Sequence, residues 1–160
     1  MGERIVRKYM AHYLDSNFGS GTASWYRIGE DLEEYSVELN PDTELRKNIL
    51  GTTAFIHNGY EPSADADPFY ARQGDALFDK LQSIIDGLET GDALKTSAVE
   101  VHLWDETSGA YTAYKQDCYV VPTSYGGDTS GYQIPFQVYY VGDKTAGTFN
   151  IAEGSFTPAA

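Results

Sequence analysis

The segment Tyr132-Gln-Ile-Pro-Phe-Gln-Val-Tyr-Tyr140 decides the fold class, because aromatic and aliphatic side chains occupy every second position along it. This period of two is typical of a β-strand with one face buried. Pro135 has no backbone N–H to donate, which indicates an edge position or a bulge near the middle of the strand. Gly142-Asp143 follows as a predicted hairpin turn, and residues 145–151 are predicted to return as the next strand.

Further strand patterns precede this segment. Val99, Val101 and Leu103 alternate with more polar neighbours, residues 105–109 are predicted to turn the chain, and residues 111–121 are predicted to complete a hairpin. Other short runs with strand character lie at residues 10–14, 24–28, 35–39 and 45–56, and Gly51 is a point at which the last of them could break.

One segment has the spacing of a helix. Apolar residues recur on one helical face at Leu77, Phe78, Leu81, Ile84 and Ile85. Asp75 is a suitable N-cap and Gly87 can adopt the left-handed conformation that ends a helix, so we predict a helix over residues 75–86. Asp67-Pro68 has the order of cap and proline that starts a short helical turn before it.

The length and the absence of repeats or linkers indicate one domain over residues 1–160. We therefore predict a mainly β fold, with two packed antiparallel sheets forming a sandwich or barrel and one flanking helix. The longest apolar stretches fall well short of the ~20 residues of a membrane helix, and the first eight residues lack the apolar run of a secretory signal. A protein made in the cytoplasm is the expectation.

The charge balance limits the function classes. Asp and Glu number 24 against 11 Lys and Arg, which gives a net charge of −13. Binding to a nucleic-acid backbone requires clustered cations, so this balance argues against it and leaves basic or self-complementary partners open. A single cysteine excludes an internal disulfide and a zinc site built on cysteines.

Candidate nucleophiles are few. Ser130 lies in Gly127-Asp-Thr-Ser-Gly131, which weakly resembles a serine-protease motif but is explained equally by turn propensity. Cys118 has strand-like neighbours, and a lone cysteine in a strand usually serves as a small buried or half-buried apolar residue. We expect neither residue to be catalytic.

Metal-ligand spacings are also absent. His12, His57 and His102 are far apart in sequence and are interpreted as histidines on strand surfaces. Asp65 and Asp67 are followed by Pro and Phe where a calcium loop requires further oxygen ligands, and Asp15-Ser-Asn-Phe-Gly19 is also an ordinary turn sequence. We predict no metal site and no cofactor.

The densest acidic run contains Glu30, Asp31, Glu33 and Glu34. Paired carboxylates act as acid and base in glycoside cleavage when an apolar setting raises the pKa of one of them. Neighbouring acids on a loop lack that setting, so a solvated or interface-facing run is the preferred interpretation.

Several stretches, taken in order, resemble the major tail tube proteins of phages and prophages from Gram-positive bacteria. The resemblance extends from about residue 7 to residue 158, and the stretches that carry it are Ile28-Gly-Glu-Asp-Leu-Glu-Glu-Tyr-Ser-Val-Glu-Leu-Asn-Pro41, Lys47-Asn-Ile-Leu-Gly51, His57-Asn-Gly-Tyr-Glu61, Thr90-Gly-Asp-Ala-Leu-Lys-Thr96 and Ser124-Tyr-Gly-Gly-Asp-Thr-Ser-Gly131.

The resemblance implies a structural protein of the phage tail, made in the host cytoplasm, and not an enzyme. In that family six copies form a ring, and stacked rings form the tube through which DNA passes. Tape-measure and tail-terminator proteins, and in some tails a sheath, are the implied partners. The region from Glu30 to Gly59 should include the extended segment used in ring and tube contacts.

The acidic balance would then keep a lumen lined by carboxylates from adhering to DNA. Two alternatives remain: a small β-barrel that encloses a ligand, for which an apolar cavity in the monomer would be the sign, and a hydrolase that uses Glu33 and Glu34.

Overall fold

The computed structural model describes residues 2–19, 21–29, 32, 35–66 and 69–159. These residues form twelve β-strands, one α-helix, and short 3-10 helices at Arg7–Tyr9 and Gly91–Leu94. The helix α1 is Ala76–Gly87, and the strands are β1 (Met10–Asp15), β2 (Trp25–Ile28), β3 (Val37–Glu38), β4 (Asp42–Lys47), β5 (Thr53–Gly59), β6 (Ser63–Ala66), β7 (Lys95–Thr107), β8 (Ala110–Pro122), β9 (Gly126–Asp128), β10 (Gly131–Gln133), β11 (Phe136–Asn150) and β12 (Ser155–Pro158).

Eight strands form one sheet. Their order is β2-β1-β7-β8-β11-β6-β3, with β12 pairing to β11, and every pairing is antiparallel. Two separate ribbons, β9 with β10 and β4 with β5, complete the strands of the described residues. The predicted mainly β class with antiparallel pairing and one helix is confirmed. The principal strands form one large sheet that buries side chains on both faces, where two packed sheets were predicted.

The long strands bury different faces at their two ends. On one face, Leu14, Cys118 and Val138 belong to a cluster that also packs against α1. On the opposite face, at the other end of the strands, a second cluster contains Val99 and Phe149. A strand places successive side chains on opposite faces, so each long strand contributes to both clusters.

The sheet is strongly curled around the second cluster. In the sheet order, β1 and β11 are separated by β7 and β8, so a flat sheet would hold them roughly 14 Å apart. The rings of Tyr13 on β1 and Phe149 on β11 nevertheless lie 4.5 Å apart between centroids. The curl therefore closes this end of the sheet around its own side chains.

The helix was predicted from its spacing and cap. Asp75 accepts hydrogen bonds from the backbone N–H groups of Leu77 at 2.9 Å and Phe78 at 3.4 Å, as an N-cap does. Leu77 and Leu81 are fully buried against the first cluster.

The predicted helix end is wrong by one residue. Gly87 is still helical, and Leu88 adopts the left-handed conformation with φ of 46°. The N–H of Glu89 bonds to the carbonyl of Ile84, and that bond fixes the residue before Glu89 as the one that turns.

The predicted hairpin at Gly142-Asp143 is also wrong. β11 runs without a turn through these residues, and both of its halves pair with β8. The register shifts between Val141 and Thr145, so the extra residues form a bulge. β8 pairs with β11 on both sides of Gly142-Asp143. The composition of the turn residues alone does not reveal this pairing.

Other predicted boundaries shift in similar ways. The alternation over residues 132–140 is confirmed by burial of Ile134, Phe136 and Val138, but the strand is interrupted at Pro135. The turn after β7 shortens to Ser108-Gly109, whose positive φ values of 53° and 82° suit a tight hairpin.

Two predicted strands differ in extent from the structure. Residues 35–39 supply only the short β3, and residues 45–56 belong to the hairpin of β4 and β5, whose turn contains Gly51. The predicted turn at Asp67-Pro68 lies outside the described residues.

Replacement of Leu81 by alanine tests how strongly α1 is held. We expect Leu81→Ala to lower the free energy of unfolding by about 2–5 kcal/mol, because it leaves a cavity under the helix. The matched control is Leu45→Ala, which removes the same atoms from a side chain that is 71% exposed. It should change the free energy of unfolding by less than about 0.5 kcal/mol. Chemical denaturation measures both, and equal losses would contradict this packing.

Candidate assembly surface

The hairpin of β4 and β5, hereafter the arm, stands apart from the sheet. Its two strands pair with each other and with no other strand among the described residues. At its base, the N–H of Glu61 bonds to the carbonyl of Leu39, and the side-chain amide of Asn40 donates to the carbonyl of Glu61. Six residues of extended strand carry its tip roughly 20 Å from this base.

One face of the arm is apolar and open to solvent. Leu45 and Phe55 are direct cross-strand partners, and His57 follows Phe55 on the same face, with the two rings 6.2 Å apart. All three side chains are exposed. On the opposite face, Arg46 and Glu44 form an ion pair at 2.8 Å.

The tip of the arm presents two aliphatic side chains. Ile49 and Leu50 are 103% and 85% exposed. The side chain of Asn48 accepts hydrogen bonds from the N–H groups of Leu50 at 2.9 Å and Thr52 at 3.0 Å, and these bonds hold the turn in one shape. The tip is therefore an ordered loop that holds apolar groups outward.

These exposures point to an interface. A two-stranded hairpin is marginally stable alone in water, and a group of exposed apolar side chains marks a surface that another molecule covers. The arm buries little of its own apolar surface, so a partner that covers Leu45, Phe55 and the tip would stabilise it. We identify the arm as the candidate functional site.

The arm lies within the region that the resemblance assigned to assembly contacts. Its exposed position was not predicted, because apolar residues in a strand look the same in sequence whether they face a core or a partner. The acidic residues Glu30, Asp31, Glu33 and Glu34 lie outside the described residues.

His12 and His102 lie on the paired strands β1 and β7, two register positions apart, and His57 lies on β5. His57 is exposed on the arm, and His102 stacks on Trp104 with centroids 4.6 Å apart. His12 is buried against Tyr35, so its interpretation as a surface histidine is wrong. No cluster of three or more metal-ligating side chains occurs among the described residues.

Burial of His12 has an electrostatic cause and effect. The ring of Tyr35 packs against the imidazole, with the centroids 4.8 Å apart, and the Nδ1 atom of His12 has no hydrogen-bond partner. Loss of hydration, aided by the nearby positive charge of Arg7, lowers the pKa of His12 to about 4. The histidine is therefore neutral at pH 7.

The other candidate residues have structural surroundings. Cys118 is fully buried, as predicted, and burial raises the pKa of its thiol to about 12. Ser130 is exposed in the turn between β9 and β10, where its N–H bonds to the Asp128 carboxylate at 2.8 Å. Asp65 is exposed on β6, and its predicted neighbour Asp67 lies outside the described residues.

The Asp15 carboxylate forms a turn. It accepts hydrogen bonds from the backbone N–H groups of Asn17 at 2.9 Å, Ser24 at 3.1 Å and Gly19 at 3.3 Å. These bonds join the end of β1 to the start of β2, as expected for an aspartate at the start of a turn.

Comparison with solved structures finds a similarity over most of the chain. The cap that terminates the tube of an anti-feeding prophage, solved by cryo-electron microscopy, matches with a TM-score of 0.53 and 13% sequence identity, over 92% of this chain and 93% of that chain. This likeness shows a shared fold. No protein-family model matches the sequence, and a sequence search of curated proteins finds no match. None of the helices within the described ranges has the length and apolarity needed to cross a bilayer.

The buried histidine predicts an acid-sensitive step in stability. The pKa of His12 is near 4 in the folded protein and near 6.5 when unfolded, so between these values only the unfolded chain gains a proton. Protonation of His12 therefore leaves the free energy of unfolding unchanged above pH 6.5. As the pH falls from 6.5 towards 4, that free energy decreases by up to about 3 kcal/mol.

Denaturation of His12→Phe across this pH range should show a flatter dependence than the unsubstituted protein. His57→Gln, which removes an exposed histidine, serves as the control and should keep the original slope. Identical slopes for all three proteins would contradict the assignment to His12.

Proposed function

We propose that this protein is a structural subunit of a phage or prophage tail tube, which assembles with copies of itself into rings that stack into a conduit for DNA. The arm is the observation that carries this proposal. It exposes an apolar face and an ordered apolar tip, and neither has a partner strand within the described part of the chain.

The fold supports the same role. A component of a prophage tube shares the architecture over nearly the whole of both chains, although only 13% of residues are identical. Stretches between residues 28 and 131 also resemble tail tube proteins in sequence. A structural tail role is consistent with both.

The arm also indicates the kind of assembly. It is one distinct surface of the subunit, so an arm that docks on a different surface of a neighbour makes a head-to-tail contact. Such contacts close into rings or continue into filaments, depending on the rotation between subunits. The count of six per ring comes from the family resemblance.

The remaining partners come from the resemblance as well. Tape-measure and terminator proteins, and a sheath where the tail has one, would contact the assembled tube in the virion tail. The alternative hypothesis was a small β-barrel that encloses a ligand. The first cluster does not support it, because Phe69, Phe136 and Ile134 fill the space beside the sheet. The hydrolase hypothesis depends on Glu33 and Glu34, outside the described residues, and stays a prediction.

Removal of the apolar character of the tip tests the proposed role of the arm. We expect Ile49→Ser with Leu50→Ser to raise the concentration needed for assembly by at least tenfold, since burial of two such side chains contributes roughly 3–6 kcal/mol. Thermal unfolding of the monomer should change little, because both side chains are exposed.

The matched control is Ile49→Val with Leu50→Met, which keeps the tip apolar and should assemble normally. Sedimentation velocity and negative-stain electron microscopy report the assembled fraction. Normal assembly of the serine variant would show that the tip is not part of the contact.

The acidic balance predicts the behaviour of the tube towards DNA. If the lumen carries its share of the net charge of −13, it repels phosphate, and assembled protein should then not retain double-stranded DNA at physiological salt. Co-sedimentation of DNA with assembled tubes measures this. Retention that weakens steeply with added salt would indicate a basic inner wall and contradict the proposal.

A further inference from the structure

We infer, on the basis of the proposed function, that an apolar groove beside the end of α1 receives the arm tip of a second copy of this chain. The groove has a volume of about 240 Å³ and lies between the end of the helix and the end of β8. Its apolar lining includes Ile85, Leu88, Leu94, Val121, Pro122 and Tyr125.

Two of these side chains are exposed although they are large and apolar. Leu88 is 82% exposed and Tyr125 is 64% exposed. Both border the same groove, and a molecule that filled it would cover them together. The groove is thus a second apolar surface, separate from the arm in sequence and in structure.

The conformation of Leu88 is unusual for its residue type. A leucine with φ of 46° is in the left-handed region, where glycine or asparagine is normal at a helix end and other residues are strained. The hydrogen bond from the N–H of Glu89 to the carbonyl of Ile84 sets this conformation, and the leucine side chain is left exposed at the groove. Contact with a partner would bury that side chain.

The arm tip has the complementary shape and chemistry. Ile49 and Leu50 are adjacent branched aliphatic residues at the end of a narrow ribbon, and the groove is lined mainly by aliphatic side chains. An ordered tip loses little conformational freedom on binding, because the Asn48 side chain already fixes the turn.

Charge favours the same pairing. Lys47 lies next to the tip, and Glu89 is the one charged residue among the described residues that line the groove. Asp86 and Asp92 lie near Glu89 in sequence on the same acidic stretch. In a protein that carries a net charge of −13, copies repel one another, so a lysine beside the tip that meets an acidic rim gives a favoured orientation.

The arm and the groove are different surfaces, so each copy can donate one and accept with the other. This allows a decisive mixing experiment. One variant loses the tip through Ile49→Ser with Leu50→Ser and keeps its groove. The other loses the groove through Leu88→Asn with Tyr125→Ser and keeps its arm, and asparagine suits the left-handed conformation, so its fold should be retained.

We expect each variant alone to remain monomeric at concentrations where the unsubstituted protein assembles. An equimolar mixture should form a one-to-one complex of twice the monomer mass and nothing longer, because each complex has one blocked arm and one blocked groove. Sedimentation velocity measures these masses, and circular dichroism with thermal unfolding confirms that both variants fold.

A charge exchange gives an independent readout. Lys47→Glu and Glu89→Lys should each raise the assembly concentration about three- to tenfold, and both changes in one chain should restore it to within about threefold. The control is Asp79→Lys, which makes the same change of charge on the exposed side of the helix. It should not restore assembly when it is combined with Lys47→Glu.

The outcomes separate the inference from the proposed function. Normal assembly of the groove variant, while the tip variant fails, would overturn the groove and leave the role of the arm in assembly intact. Absence of the one-to-one complex in the mixture would also overturn the pairing. Failure of the unsubstituted protein to assemble at all would contradict the proposed function itself.

Discussion

The three long strands β7, β8 and β11 hold the molecule together, because side chains from the two faces of these strands enter different cores at their two ends. At one end the first cluster is covered by α1 and by the loop that carries Tyr35. At the other end the sheet curls until Tyr13 meets Phe149 across two intervening strands. Bulges in β7 and β11 permit this curl without a break in the pairing. The two clusters bury Val99, Cys118, Val138 and Phe149, while Trp104 and Tyr139 of the same strands stay exposed.

The arm differs from the sheet because none of its residues is buried. Its strands make their hydrogen bonds with each other, and its apolar side chains contribute to neither core. A ribbon of this kind gains its stability from whatever covers it, so folding of the subunit and docking of the arm are linked. The sheet and α1 contain the two cores of the subunit. In the proposed assembly, the arm contacts a neighbouring subunit.

Local patterns were enough to predict the mainly β class, the helix and its N-cap, because alternation, helical spacing and capping depend on residues close in sequence. Features set by distant partners were not accessible. Gly142-Asp143 has the composition of a turn and becomes a bulge only because β8 continues alongside it. His12 looks like a surface histidine until the loop with Tyr35 covers it. The apolar residues of the arm gave no sign of their exposure, since an interface between subunits and a protein core select the same side chains.

Electron microscopy of the purified, concentrated protein tests the central claim most directly, because the claim is that this chain assembles with itself into a tube. The account predicts rings or tubes of constant diameter, whose number rises with protein concentration as head-to-tail contacts form. Particles of monomer size alone, at every concentration up to the solubility limit, would contradict it.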